Sequence, residues 1–305
     1  MIKNTFRKLM KDITKKPVIL MNTVILSAYL KTLKTKAQIQ ELDIEGSRVL
    51  ILSPHEDDET LGCGCFIQKL VENGSMVKCV FMTDGRNSLS FEYDCDSMAK
   101  VREEEASLVS DFFSIEPPTF LRCPDGELAI DEYYTSKLLD TINQFNPDYI
   151  FFPYFLDALR DHSVTSGLLL SIFHKLERGK EIKFYAYEIN SPISVQGVNS
   201  YIDGTKYIEK KKKALDIYKS QIMSFDSIIL MNRLNRQLTN SNCTHVELFM
   251  QVDMKTYKTA YDKYNFDNSI YKKFRPMYSI YYMLPAYFKG MAIKLEVARL
   301  LSKSE

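Results

Sequence analysis

The chain has 305 residues and a mass of 35.4 kDa, which is room for one large domain or two modest ones. An apolar share of 45% and a charged share of 26% exclude a wholly disordered, collagenous or multispanning membrane protein. With 40 Lys and Arg against 39 Asp and Glu, the chain is not a bulk polyanion binder, and no nucleic-acid partner is expected.

The near-neutral total conceals an asymmetry. Residues 1–40 hold nine basic residues and one acidic one, Asp12, so this stretch is +8 and the remainder −7. An extension charged opposite to its body suits surface attachment; a basic, solvated helix packed on the domain has the same composition. The longest apolar run, Pro17 to Leu30, has 14 residues interrupted by Asn22, Thr23 and Ser27, short of the ~20 that span a bilayer. Tyr29-Leu30-Lys31 offers no small-residue cleavage site for a signal peptide. An interfacial helix, or one packed on the core, fits this segment. Six cysteines (63, 65, 79, 95, 123, 243) form no disulfide-dense pattern and read as reduced thiols of a cytoplasmic protein.

From Ser47 onward short β-rich runs alternate with helical stretches. Val49 to Leu52 predicts a buried strand, Thr60 to Glu72 a helix closed by Asn73-Gly74, Val77 to Met82 a strand, and Ser97 to Phe113 a charged helix. A brief strand at 120–123, a helix at 131–145, a strand at 149–153, a helix at 162–176 and a strand at 182–187 follow. This alternation predicts an α/β fold: a Rossmann-like, mostly parallel sheet with helices on both faces, which binds ligands at the carboxyl ends of its strands. Beyond residue 188 a basic helix (206–221) and a final stretch rich in Tyr and Phe are expected. The reading gives a helical extension at 1–45, a central domain at 46–250 and an aromatic, basic helical extension at 251–305 packed on it.

Histidine is sparse, with four in the chain, so its placement is informative. His55 follows the first of these strands in Ser53-Pro54-His55-Glu56-Asp57-Asp58-Glu59, where four consecutive carboxylates repel one another. A divalent cation would relieve that repulsion. An imidazole and a carboxylate three residues apart, His55 and Asp58, can share one ion and leave Asp57 free beside it. His162, in Arg160-Asp161-His162 at a helix start after the 149–153 strand, opens on the same edge of a parallel sheet. Two imidazoles and one carboxylate make the three-ligand set of a catalytic zinc that keeps one position for water, with the free carboxylate accepting its proton. Such sets also take other divalent ions. A helix N-terminal cluster is the alternative for His55, and a surface histidine for His162.

Pro-His-Glu-Asp-Asp-Glu followed by Leu61-Gly62-Cys63-Gly64 resembles the signature of the LmbE-like, or PIG-L, zinc-dependent N-acetylglucosaminyl deacetylases. Weaker matches follow in order: Thr83-Asp84-Gly85, Arg102 with Glu105, Pro124 to Leu128, Pro147-Asp148, Asp161-His162, Tyr187-Glu188, Lys213 through Gln221, and His245 to Phe249. They cover about residues 46 to 250. The resemblance implies that His55, Asp58 and His162 bind zinc, that metal-held water attacks an acetamide carbonyl, and that Asp57 is the base that passes the proton to the leaving amine. Arg86 and Arg102 are candidates for substrate hydroxyls, carboxylate or phosphate; surface ion pairs are the plain alternative.

Two departures stand out. Glu56 occupies a usual proline position and is expected to face solvent. Leu159 stands where the family has the first histidine of His-Pro-Asp-His, which stabilises the oxyanion, so Arg160, His245 or a substrate group must act instead, or the enzyme is slow, or its substrate differs from the usual one. Asp161 is expected behind the ligands as a hydrogen-bond partner. Cys63 and Cys65 read as small packing residues rather than thiolate ligands, and Lys210 to Lys213 as a solvated helix face. The expected activity is a cytoplasmic amidohydrolase acting on a small or lipid-linked GlcNAc compound. The alternative is a catalytically weakened, metal-containing sugar-binding or assembly protein. The basic and aromatic termini (1–40 and 268–305) are expected to act together in peripheral contact with the inner face of a membrane.

Overall fold

A computed structural model describes residues 2–34, 37, 39–88, 94–178, 181–221, 224–240, 242–265 and 267–302; the side chains of 2–13 lie outside that description. Along the chain run α1 (Ile2–Leu33), β1 (Gln40–Glu41), β2 (Arg48–Ser53), α2 (Asp58–Glu72), β3 (Met76–Thr83), α3 (Cys95–Phe113) and β4 (Glu116–Cys123). They continue with α4 (Glu132–Phe145), β5 (Tyr149–Pro153), α5 (Arg160–Ile172), β6 (Lys183–Tyr187), β7 (Ser200–Asp203), α6 (Ile208–Leu215) and α7 (Asp226–Asn235). The last are β8 (Val246–Val252), α8 (Met254–Tyr264), α9 (Met283–Phe288) and α10 (Met291–Leu301).

The strands form one sheet in the order β1-β7-β8-β6-β5-β2-β3-β4. Pairing is parallel except where β8 runs antiparallel to β6 and β7. β2 shows why the sheet is covered on both sides. Leu50 and Leu52 enter one apolar layer with α4, α5, α8 and the terminal helices, while Val49 and Ile51 enter the other with α2, α3 and α6. Successive side chains of a strand point to opposite faces, so a continuous apolar run is what a doubly covered strand requires.

After β2 the chain crosses to β3 on one side, and later returns as β5 on the other side of β2. The carboxyl ends of β2 and β5 therefore border the point where the order of the sheet reverses, the position at which such sheets hold ligands.

Most expected elements occur within two or three residues of their predicted ends, but three differences have physical reasons. The strand at 120–123 begins at Glu116, through Pro117-Pro118, because β4 is a sheet edge where a missing N–H is tolerated. The basic helix ends at Leu215 rather than 221. β7 and β8 are strands that the strand-helix alternation does not predict, since they follow the less regular sequence beyond residue 188.

Candidate metal centre and catalytic cavity

β2 ends at Ser53, whose Oγ accepts from the Glu59 N–H and donates to the His55 carbonyl, closing the loop between strand and helix. α2 starts at Asp58, and Asp57 before it has φ 139°. A non-glycine residue there is strained by about 1–3 kcal/mol, a conformation that persists only when the surroundings enforce it.

The four adjacent carboxylates go to four places. Asp58 Oδ2 lies 3.1 Å from His55 Nδ1 and 3.2 Å from His162 Nε2. Glu59 accepts from the Tyr218 hydroxyl at 2.6 Å and from the Asp57 N–H at 3.1 Å. Asp57 faces the cavity with the Arg102 guanidinium 3.6 Å from its Oδ2. Glu56 is fully buried, 3.6 Å from Arg102 Nε, against its expected exposure. The turn places it under Gly85, whose positive φ and missing side chain leave room that a Cβ would take from the Glu56 carboxylate.

His55 and His162 are brought together because β2 and β5 are hydrogen-bonded neighbours. Their outward nitrogens are braced. His55 Nε2 lies 3.1 Å from Asp125 and 3.4 Å from Asp161, and His162 Nδ1 lies 3.2 Å from Asp157. Asp157 is itself held by the N–H groups of Leu159, Asn190 and Ser191. Carboxylates behind the rings fix the tautomer and leave Nδ1 of His55 and Nε2 of His162 aimed at Asp58.

The donor set fits a small dication. Bonds of about 2.0–2.1 Å in a tetrahedron separate ligand atoms by roughly 3.3 Å, close to the 3.1 and 3.2 Å seen here. Nε2 of the buried His162 also lacks a well-aligned hydrogen bond despite lying 3.2 Å from Asp58, as expected of a metal ligand.

The electrostatics follow from burial and these neighbours. Burial opposes a charge on His55, but Asp125, Asp161 and Asp58 outweigh it and hold the ring well above its usual value. His162, buried but beside Asp58 and Asp157, is raised to about 10. Burial also works against Asp58, yet the two imidazoles hold it well below the carboxylate range. A divalent cation among the three would take the place of those ring protons. Burial pushes Asp57 well up against the pull of Arg102, and lifts Glu56 to about 7.

A cavity of about 580 Å³ opens over these groups, within the size range of small-ligand sites. Arg160 lines it but is clamped to the Leu128 carbonyl at 2.6 Å. Arg102 also lines it, fully buried, with its guanidinium 3.6–3.8 Å from Asp57, Glu56 and Glu105. Arg86 pairs with Asp84 at 2.6 Å and lies outside the lining. His245 is not at this site. It lines a separate basic groove, where burial and the charges of Lys212 and Arg233 lower it to about 4.

Sequence reasoning gave Asp125, within its Pro124 to Leu128 match, no role and passed over Asp157, although each is an acid in the loop after a strand. It also missed Tyr278 and Ser279, which bring the C-terminal segment into the cavity wall and carry no local signal. Lys211, expected in a solvated row, is fully buried on Glu247 at 2.7 Å.

Fold and site together define an α/β protein with a His-Asp-His group that could hold a metal ion at the reversal point of its sheet. Residues 50–173 match the family model described as PIG-L: GlcNAc-PI de-N-acetylase. Among solved structures, the chain is similar to N,N'-diacetylchitobiose deacetylase from Pyrococcus horikoshii (19% identity, TM-score 0.61, over 84% of this chain and 95% of that one). It is also similar to the conserved protein TT1542 from Thermus thermophilus (22%, 0.57, 67% and 94%). A third is GalB, the 4-carboxy-2-hydroxymuconate hydratase from Pseudomonas putida (17%, 0.57, 68% and 96%). At these identities the likeness is one of fold, and a hydratase beside a deacetylase illustrates that the fold alone does not fix the reaction. No curated protein matches the chain.

Proposed function

We infer that the protein is a zinc-dependent hydrolase that removes the N-acetyl group from a GlcNAc-containing sugar or glycoconjugate. The observation that carries this reading is Asp57, held on a strained backbone beside the His55-Asp58-His162 centre and facing the same cavity. A zinc ion held by those three residues would supply Lewis acidity and a water of lowered pKa.

The chain's own groups do the rest. The Asp57 carboxylate accepts the proton of the attacking water as the new C–O bond forms at the acetamide carbonyl. It then returns that proton to the nitrogen as the C–N bond breaks, releasing acetate and the amine. Burial makes Asp57 a stronger base than a solvated aspartate, and Arg102 holds its position. Asn87, Asn190 and Ser279 present polar groups to sugar hydroxyls from the cavity wall. In place of the histidine that Leu159 replaces, Tyr278 is the oxyanion donor we favour. Its side chain lines the cavity and lies within the field of Asp157, His55 and Asp58.

Acetate release from a panel of N-acetylated sugars, with and without chelator, tests the reading. Chelator-sensitive release that falls by about 10²–10⁴ in Asp57→Asn is expected. Equal, chelator-insensitive background in both proteins overturns it. Leu159 favours one second reading, a sugar-binding protein that keeps the metal; saccharide binding without acetate release in the same panel would establish it.

A further inference from the structure

From Thr14 onward the inward face of α1 is packed against the protein. Leu26, Leu30 and Leu33 are buried, Asn22 donates to the Ile280 carbonyl at 2.6 Å, and Tyr29 meets the rings of Tyr287 and Phe288 at 5.8 and 5.1 Å. Thr14 contacts the Tyr281 hydroxyl at 2.9 Å, so the helix lies along the segment 280–288. Its outward face is apolar too: Leu20, Met21, Val24 and Ile25 are 64, 48, 60 and 41% exposed. Spacings of one and four residues place them on a single arc of the helix, and exposed Lys16 and Lys31 close the two ends of that arc. Tyr281, Tyr282 and Phe288, exposed by 36 to 44%, extend the patch from the C-terminal segment. Large exposed apolar side chains are scattered singly on most surfaces; among the described residues, seven of the twelve fall on this one unit.

Charge decides what covers it. The sequence of α1 carries seven basic residues and one acidic residue; the side chains of Lys3, Arg7, Lys8 and Lys11, like residue 36, lie outside the described residues. Two copies of this helix face to face would bring like charges together, whereas an anionic bilayer gains about 1 kcal/mol for each Lys or Arg near its surface. Among the described residues no helix is long and apolar enough to cross a membrane. An apolar stripe between lysines, rimmed by tyrosines, is the composition of a helix that lies in the interface.

We propose that the outward face of α1, with Tyr281, Tyr282 and Phe288, docks the protein on an anionic membrane surface, with α1 lying in the plane of the headgroups. The Tyr278-Ser279 wall of the cavity immediately precedes the docked segment in the chain, so the docking face and the cavity share one stretch of backbone. Docking is independent of the deacetylase reading, and its test needs no turnover.

The full-length protein is sedimented with vesicles of neutral phosphatidylcholine alone or with ~30% phosphatidylglycerol, at low and high salt, beside Leu20→Asp/Val24→Asp. Both positions are exposed, so the variant's unfolding midpoint should match wild type. At low salt the expected result is at least ~10-fold more binding to the anionic vesicles, lost at high salt, and lost in the variant. Equal binding of wild type and variant overturns the proposal, as does absence of binding to either vesicle. A dimer in solution that the double substitution dissociates would overturn it as well, by assigning the face to a second copy. Lys16→Glu/Lys31→Glu, which leaves the apolar arc intact, should lower binding to anionic vesicles alone; an unchanged value would also count against the proposal.

Discussion

Leu159 immediately precedes α5, where the family resemblance calls for an oxyanion-stabilising histidine, and it can donate nothing to the cavity. Arg160 is clamped and His245 lies elsewhere, and among the donors that line the cavity the Tyr278 hydroxyl is the one we favour, because it lies within the field of Asp157, His55 and Asp58. If Tyr278 donates to the developing oxyanion, Tyr278→Phe should lower kcat by about 10–10³ while KM changes little. Affinity for a phosphonate that mimics the tetrahedral state should fall in parallel, with bound metal and affinity for the product amine unchanged. An unaltered kcat would remove Tyr278 from the reaction. His55, Asp57, Asp58 and His162 could be read from the sequence because ligand chemistry demands few residue types at short spacings. Asp125, Asp157 and Tyr278 could not, since each acts through a contact that only the folded sheet and the returning C-terminal segment create. Glu56 defies its expected exposure for the same reason: its burial depends on Gly85 and Arg102, 29 and 46 residues away.

At the scale of elements, α2 is the helix that presents Asp58, and its position depends on a buried ion pair. Lys211 of α6 donates to the Leu61 carbonyl at 2.7 Å and to Asn232 at 2.9 Å, while Glu247 of β8 accepts from the N–H groups of Cys65 and Phe66. Gly64 lets the aliphatic stem of Lys211 pass, and Gly62 lets the Tyr187 ring sit against the helix. The Leu-Gly-Cys-Gly run is thus explained by close approach, and the buried, unpaired thiols of Cys63 and Cys65 by packing. Removing one partner of such a pair leaves an uncompensated buried charge, so Lys211→Met should destabilise by about 3–5 kcal/mol in denaturant unfolding. Adding Glu247→Gln should recover part of that loss; a double variant no better than the single would mean the pair is not the cause. The strands and helices of the β2–β6 region were legible from periodicity. β7, β8 and the burial of Lys211 were not, because the partner that decides each lies far along the chain.

At the scale of the molecule, the C-terminal segment is tied into the catalytic half by Lys294 of α10. Its Nζ is fully buried and donates to the Pro192 carbonyl at 2.6 Å, and it interacts with Glu188 and with Asp157, the carboxylate that braces His162. Burial lowers its pKa from 10.5 to about 8, against the raising effect of those two carboxylates. Between these two values the unfolded chain holds more protons than the folded one, so this group makes stability rise with pH across that window. Below about pH 8 both states are protonated and the folded protein bears the full cost of the buried charge. Above about pH 10.5 neither state is charged and that cost is gone. Tyrosines and cysteines titrate in the same range, so the measurement is a difference: the unfolding free energy of wild type minus that of Lys294→Met, followed from about pH 7 to 11. It should rise by about 3 kcal/mol, the equivalent of lowering the group from 10.5 to about 8. A flat difference would mean that Lys294 is solvated when charged, and that the C-terminal helix is held to the catalytic half by its apolar contacts alone.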